Sequence, residues 1–286
     1  MAYTEEEARK LVLEAGLRLV REGLIARTWG NISARISDTQ FIITPTGRTY
    51  DSLAPEDLVK VNISDLSYEG SVRPSSEKGI HADCYRLREN VDFVIHTHQF
   101  YASVVGIQGK DKSFAPCAAY GHPGSKGLRK AVAQTLLSNP TKNNFLLTKH
   151  GSLSLGKNYE DAFANAAFLE QKSRALFESA VTLTEENFTV QYSRLKKPLL
   201  PYIDDFAMIV APKLNDMSRV CVLGDGSEED TKAAKMILEK NCAAALYALK
   251  VRDCRPLGRI EAHLQHYIYI NKYSKNKTAN VRETAE

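Results

Sequence analysis

The sequence predicts a mixed α/β protein, and three observations carry that prediction. Helical periodicity opens the chain and returns in alanine-rich stretches. Short apolar runs of strand length lie between them, and histidines stand where two of these runs stop. With 286 residues and 43% hydrophobic composition, the chain can bury a sizeable core as one large domain or as one domain with an appendage.

Thr4-x-x-Glu7 is a capping box, and Leu11, Val12, Ala15, Leu19 and Val20 follow at helical spacing, so a first helix runs to about Glu22. After Trp29-Gly30-Asn31, the run Phe41-Ile42-Ile43 reads as a strand entering the turn-rich Thr44-Pro45-Thr46-Gly47. Ser75-Ser76-Glu77 follows Pro74 and precedes a helical stretch through Tyr85 and Leu87, which places the two serines at a helix start, where N–H groups favour anions. Val91 to Ile95 is a second strand running into His96-Thr97-His98, and Phe145 to Leu147 is a third running into His150-Gly151. A long helix spans Tyr159 to about Ala180, where the core domain is expected to close, giving units 1–184 and 185–286.

The second unit carries an internal echo of the first. Glu160, Asp161, Ala164, Leu169, Glu170 and Ala175 recur 69 positions later as Glu229, Asp230, Ala233, Leu238, Glu239 and Ala244. A strand-like run, Val220 to Leu223, precedes the second copy, and Gly224-Asp225-Gly226 stands where the first has Lys149-His150-Gly151. The tail reads as a degenerate partial duplicate without the histidine, or as two alanine-rich helices that match by chance.

Composition narrows the function classes. The opening residues are acidic where a secretory signal is basic, and no apolar run reaches bilayer length, so the expected address is the cytoplasm, with no membrane partner. Five cysteines without a C-x-x-C pair fit neither a disulfide framework nor a cysteine metal site. The net charge of +4 is spread along the chain, which argues against nucleic acid as a partner.

His96 and His98 stand at i and i+2 on a strand, so both side chains can reach one ion. With His150 they make three imidazoles and an open position, a catalytic arrangement, and with Glu77 as a nearby carboxylate the set suits zinc or a neighbouring divalent ion. Gly151 is expected to let the backbone turn tightly after His150. His81, one helical turn after Glu77, reads as a satisfied core histidine or a partner of the site; His122 reads as a loop residue, and His263 and His266 as surface. Hydroxyls and loop N–H groups at Thr44 to Gly47 and at Ser75-Ser76 offer phosphate contacts, although a turn and a helix cap explain them equally.

These pieces, in this order, resemble the class II aldolase and adducin head family, most closely its fuculose-phosphate aldolase branch. The resemblance rests on Gly30-Asn31-Ile32-Ser33, Ile43-Thr44-Pro45-Thr46-Gly47, Pro74-Ser75-Ser76-Glu77, His96-Thr97-His98, and His150-Gly151 followed by Gly156 and the Glu160 helix. It implies a three-layer α/β/α sandwich with a mostly antiparallel central sheet, assembled as a homotetramer. It further implies that His96, His98 and His150 bind zinc, that Asn31, Thr46, Gly47, Ser75 and Ser76 hold a substrate phosphate, and that Glu77 is the acid/base. The expected reaction is cleavage of a ketose 1-phosphate to dihydroxyacetone phosphate and a small aldehyde, with charge developing on an enediolate that a metal can stabilise. A pentulose-phosphate 4-epimerase, a sugar-phosphate decarboxylase or dehydratase, and a non-catalytic adducin-like binding module are the alternatives. Glu77 favours aldol chemistry, because the related epimerases resemble the same pattern with an aspartate there. The family tyrosine that follows the H-x-H strand has no counterpart assigned in the short segment Val104 to Ala118, and Tyr120 reads as an ordinary packed tyrosine or as its substitute.

Overall fold

The computed structural model describes residues 3–25, 29–182, 200–210 and 228–274. Helix α1 (Glu5–Arg21) starts as its capping box dictates: the Thr4 hydroxyl accepts from the Glu7 N–H at 3.2 Å, and the Glu7 carboxylate accepts from the Thr4 N–H at 2.9 Å. Its apolar stripe, Ala8, Val12, Ala15 and Leu19, is fully buried.

Strands β1 (Gly30–Arg35), β2 (Gln40–Ile43), β3 (Val59–Asn62), β4 (Phe93–Thr97), β5 (Cys117–Ala118), β6 (Asn144–Leu147) and β7 (Gly151–Gly156) form one sheet in the order β3-β2-β1-β4-β7-β6-β5. Every neighbouring pair is antiparallel except β5 with β6. Helix α2 (Lys78–Leu87) and helix α4 (Lys126–Ser138) cover one face, while α1 and α5 (Tyr159–Ala180) cover the other; α3 (Phe100–Gly106) follows β4. The alternation of each strand sorts its side chains between these layers: Phe41, Ile43 and Val94 pack towards α2 and α4, whereas Ile42, Phe93 and Ile95 pack towards α1 and α5. The expected α/β/α sandwich with a mostly antiparallel sheet is therefore observed.

Helices α6 (Asp204–Val210), α7 (Glu228–Val251) and α8 (Arg259–Ile268) complete the described chain. Both copies of the internal echo are helices, α5 and α7, while Val220 to Leu223 lies outside the described residues. Among the described residues the second copy packs on helices: Ala243, Ala244 and Tyr247 of α7 pack with Ala102 and Val105 of α3 and Leu169 and Phe177 of α5. Phe206, Ala207, Ile237, Ala245 and Ala262 form a further apolar cluster around Trp29, which joins α6, α7 and α8 to the entrance of β1. Among the described residues, no helix is long and apolar enough to cross a membrane, and Cys84, Cys117, Cys242 and Cys254 are free thiols.

Candidate active site

Strands β1, β4 and β7 lie side by side at the centre of the sheet, and their register sets the site. Asn31 on β1 faces His96 on β4, and His96 faces Leu153 on β7. His150 occupies the turn between β6 and β7, beside the end of β4 where His98 emerges. The tight turn is made by Lys149, whose φ is 60°, rather than by Gly151. Gly151 serves close approach instead, since a Cβ there would stand 2.4 Å from the Thr97 carbonyl oxygen and 3.3 Å from both the His96 and the His98 rings.

Three imidazoles meet at this point, with ligand atoms within 4.8 Å of one another, and all three residues are buried. The hydrogen bonds on the far nitrogens fix the tautomers. His96 Nδ1 stands 2.8 Å from the Ser152 carbonyl oxygen, His98 Nδ1 2.6 Å from Asp205 Oδ1, and His150 Nδ1 3.1 Å from Asp204 Oδ2. Each partner is an acceptor, so each Nδ1 carries a hydrogen, and each ring turns its Nε2 inward. His96 Nε2 and His98 Nε2 are 3.1 Å apart, and Glu77 Oε2 and Oε1 stand 3.1 Å from His96 Nε2 and His150 Nε2. Three ring nitrogens and a carboxylate converging in a buried space form a donor set that can hold a divalent cation.

The titrations reflect the same crowding. Burial raises the Glu77 carboxyl, but the neighbouring His96 and His150 rings outweigh it and hold it well below the usual carboxylate range. Burial lowers His150, yet Glu77 on one side and Asp204 on the other lift it to about 10. Burial dominates at His98, which falls to about 4 despite Asp205.

The residues expected to hold phosphate come together in the structure. Asn31, Thr46, Gly47, Ser75 and Ser76 line one cleft, of about 770 Å³, with Glu77, His98 and His150. Gly47, at φ 75°, supplies the left-handed turn of the loop after β2. The helix start differs from the sequence expectation: α2 begins at Lys78, and Ser75 already takes the N–H of Glu77 through Oγ and that of Lys78 through its carbonyl. The reason is that Ser75 is itself held in extended pairing, its N–H bonded to the Thr44 carbonyl, so the chain reaches helical geometry only later.

His81 is a satisfied core histidine that ends in the site. Asn31 Nδ2 donates to Glu77 Oε2 at 3.3 Å, which turns Asn31 Oδ1 towards His81 Nε2 at 2.5 Å and makes that nitrogen the donor. His81 Nδ1 then accepts from the Ser33 hydroxyl at 2.6 Å, which in turn accepts from Tyr85 OH at 2.6 Å. The relay requires a neutral ring, and burial depresses His81 to about 3. Between pH 6.5 and about 3 the unfolded chain therefore binds a proton at His81 that the folded chain refuses, so stability falls as pH falls. The expected contribution is about 1.4 kcal/mol per pH unit. Urea unfolding of the metal-free protein between pH 7 and pH 4 should show His81→Gln lowering this acid slope by that amount; an unchanged slope would remove His81 as its source.

Tyr120 lies outside the cleft lining, where its hydroxyl donates to Glu261 at 2.7 Å and accepts from Gln265 at 2.6 Å. It is a packed, bonded tyrosine. His122 is in a loop and His263 is exposed, whereas His266 is half-buried against the Met208 carbonyl because α8 lies on α6. Asp204, Asp205, Trp29, Met208 and Tyr269 were not singled out by sequence reasoning, yet all stand at the histidines or in the cleft wall. A usable signal existed: two adjacent acids inside the otherwise apolar run Pro201 to Val210 are expected to be buried and paired.

A family model described as Class II Aldolase and Adducin N-terminal domain matches residues 10–177. Among solved structures, YgbL of Escherichia coli, described as a candidate aldolase/epimerase/decarboxylase, is 26% identical with a TM-score of 0.54, the match covering 60% of this chain and 89% of that one. An L-fuculose 1-phosphate aldolase is 24% identical with a TM-score of 0.56, covering 66% of this chain and 96% of that one. The L-fuculose 1-phosphate aldolase of Glaciozyma antarctica PI12, at 18% identity and a TM-score of 0.50, covers 89% of this chain and 96% of its own.

Proposed function

Because the chain belongs to the class II aldolase and adducin N-terminal domain family over residues 10–177, we propose that it is a zinc-dependent aldolase cleaving a ketose 1-phosphate to dihydroxyacetone phosphate and a small aldehyde. The observation that carries the reading is the convergence of three imidazole Nε2 atoms beside the Glu77 carboxylate. Printed descriptions of relatives as L-fuculose 1-phosphate aldolases support a sugar phosphate as substrate.

In this reading His96, His98 and His150 would hold the cation through Nε2. When bound, the cation supplies Lewis-acid stabilisation of the negative charge that develops on the substrate when its carbon–carbon bond breaks. Asn31, Thr46, Gly47, Ser75 and Ser76 bind the phosphate remote from the reacting carbon, and that binding orients the carbon at Glu77. Glu77 takes or returns the proton at that carbon. It is held for this by Asn31 Nδ2 at 3.3 Å and, more weakly, by the Gly124 N–H at 3.4 Å. Residues 1–184 form the catalytic unit and 185–286 an extension, of which Met208 and Tyr269 line the cleft, and the protein is cytoplasmic and a homotetramer, whose mass light scattering would measure.

Two observations favour a second reading, an epimerase, decarboxylase or dehydratase on the same site. Tyr120 is engaged away from the cleft, and YgbL is described without a choice of reaction. A binding module is disfavoured because a scaffold has no need of three tautomer-locked imidazoles around a carboxylate. The deciding experiment is release of dihydroxyacetone phosphate from a panel of ketose 1-phosphates by the zinc-loaded protein. Release is the expected result. No release with zinc bound would replace the aldolase by the second reading, and no bound metal would point to the scaffold.

A further inference from the structure

Asp204 and Asp205 open α6, and both are 0% exposed. A buried carboxylate costs several kcal/mol unless it is paired, so the partners of these two decide why they are there. Successive helical residues point about 100° apart, and the two acids accordingly reach different rings. Asp205 Oδ1 takes His98 Nδ1 at 2.6 Å, while its Oδ2 is paired with Lys240 of α7, whose Nζ also donates to the His98 carbonyl at 3.0 Å. This circuit is closed and charge-balanced. Asp204 Oδ2 takes His150 Nδ1 at 3.1 Å, and its Oδ1 accepts from Gln265 of α8 at 2.6 Å and, more loosely, faces Tyr120 OH at 3.4 Å. These Oδ1 partners carry no fixed charge. The Asp204 N–H is bonded to the Lys149 carbonyl at 2.9 Å, which pins the start of α6 against the turn that carries His150.

We propose that Asp204 and Asp205 are positioning residues of the metal centre, each holding an imidazole by Nδ1 so that Nε2 faces the cation, with Asp204 contributing the larger share because Lys240 neutralises Asp205. The proposal rests on the metal-binding reading of the three histidines. The third ring, His96, is oriented from within the sheet by the Ser152 carbonyl, so two of three ligands are oriented by the C-terminal helices and one by the core. A carboxylate on the far nitrogen fixes the tautomer, limits rotation of the ring and raises its basicity towards a cation.

The test is zinc affinity of the full chain, stripped with a chelator and titrated in competition with a chromophoric chelator, with the visible spectrum of the cobalt-loaded protein as second readout. Asp204→Asn keeps an acceptor for Nδ1–H and removes the charge, so it should fold, lose about 10–100-fold in zinc affinity and shift the cobalt bands. Asp205→Asn combined with Lys240→Met avoids an unpaired buried lysine and should lose less. Wild-type affinity with an unshifted cobalt spectrum in Asp204→Asn would overturn the proposal. A wild-type protein that takes up neither metal would instead overturn the metal-binding reading beneath it.

Discussion

Replacing Glu77 by glutamine is expected to leave zinc bound while lowering turnover by about 10²–10⁴-fold, the usual range for a positioned general acid or base. The substitution is nearly isosteric and its carbonyl oxygen can still face His96 or His150, each 3.1 Å away from a carboxylate oxygen in the wild type. What it removes is the ability to carry a proton. The three Nδ1 partners of the histidines are untouched, so the three imidazole donors that would hold the cation persist. Metal content by elemental analysis and kcat on the substrate that the panel identifies measure both halves of the expectation. Full activity in Glu77→Gln would remove this residue from proton transfer, and loss of zinc would make it chiefly a ligand.

His96→Ala carries the other large effect, the loss of stoichiometric zinc. His96 is 2% exposed and its Nε2 stands 3.1 Å from both His98 Nε2 and Glu77 Oε2, so its removal takes one of the three nitrogen donors of the site. Affinity should fall further than the roughly 10–100-fold typical of residues that only orient a ligand. The change also removes the hydrogen bond from Nδ1 to the buried Ser152 carbonyl, worth about 1 kcal/mol. Thermal unfolding separates the two effects. In wild type, zinc at about 100 times its Kd adds about 2.7 kcal/mol, whereas His96→Ala should start from a lower Tm and gain almost nothing from zinc. A zinc-dependent rise in Tm equal to that of wild type would place the cation elsewhere.

Much of the fold and part of the site were legible in the chain itself. The capping box at Thr4 and the helix from Tyr159 to Ala180 appear as expected, because local hydrogen bonds and a single buried stripe determine them. The strands around Phe41, Phe93 and Phe145 were also found, since they read as short apolar runs buried on both faces. Strand β1, Gly30–Arg35, was missed because it mixes Asn31, Ser33 and Arg35 with apolar residues, and each of these side chains makes hydrogen bonds in the interior. Helix α4 was missed for a different reason: its moderately apolar face depends on the partner α2 for burial.

The sequence by itself determined the α/β layering, the spacing that brings His96 and His98 to one point, and the turn-rich loop that carries Thr46 and Gly47. Those are consequences of local periodicity and turn chemistry, which act over a few residues. The sequence also grouped His150 with the other two, whereas tertiary structure alone decided that His81 communicates with Glu77 through Asn31 and that Asp204 and Asp205 come back from late in the chain to hold two of the rings. These contacts span between 46 and 107 positions. No periodicity reaches that far, and such pairs form only when buried polar groups must find partners inside a packed interior.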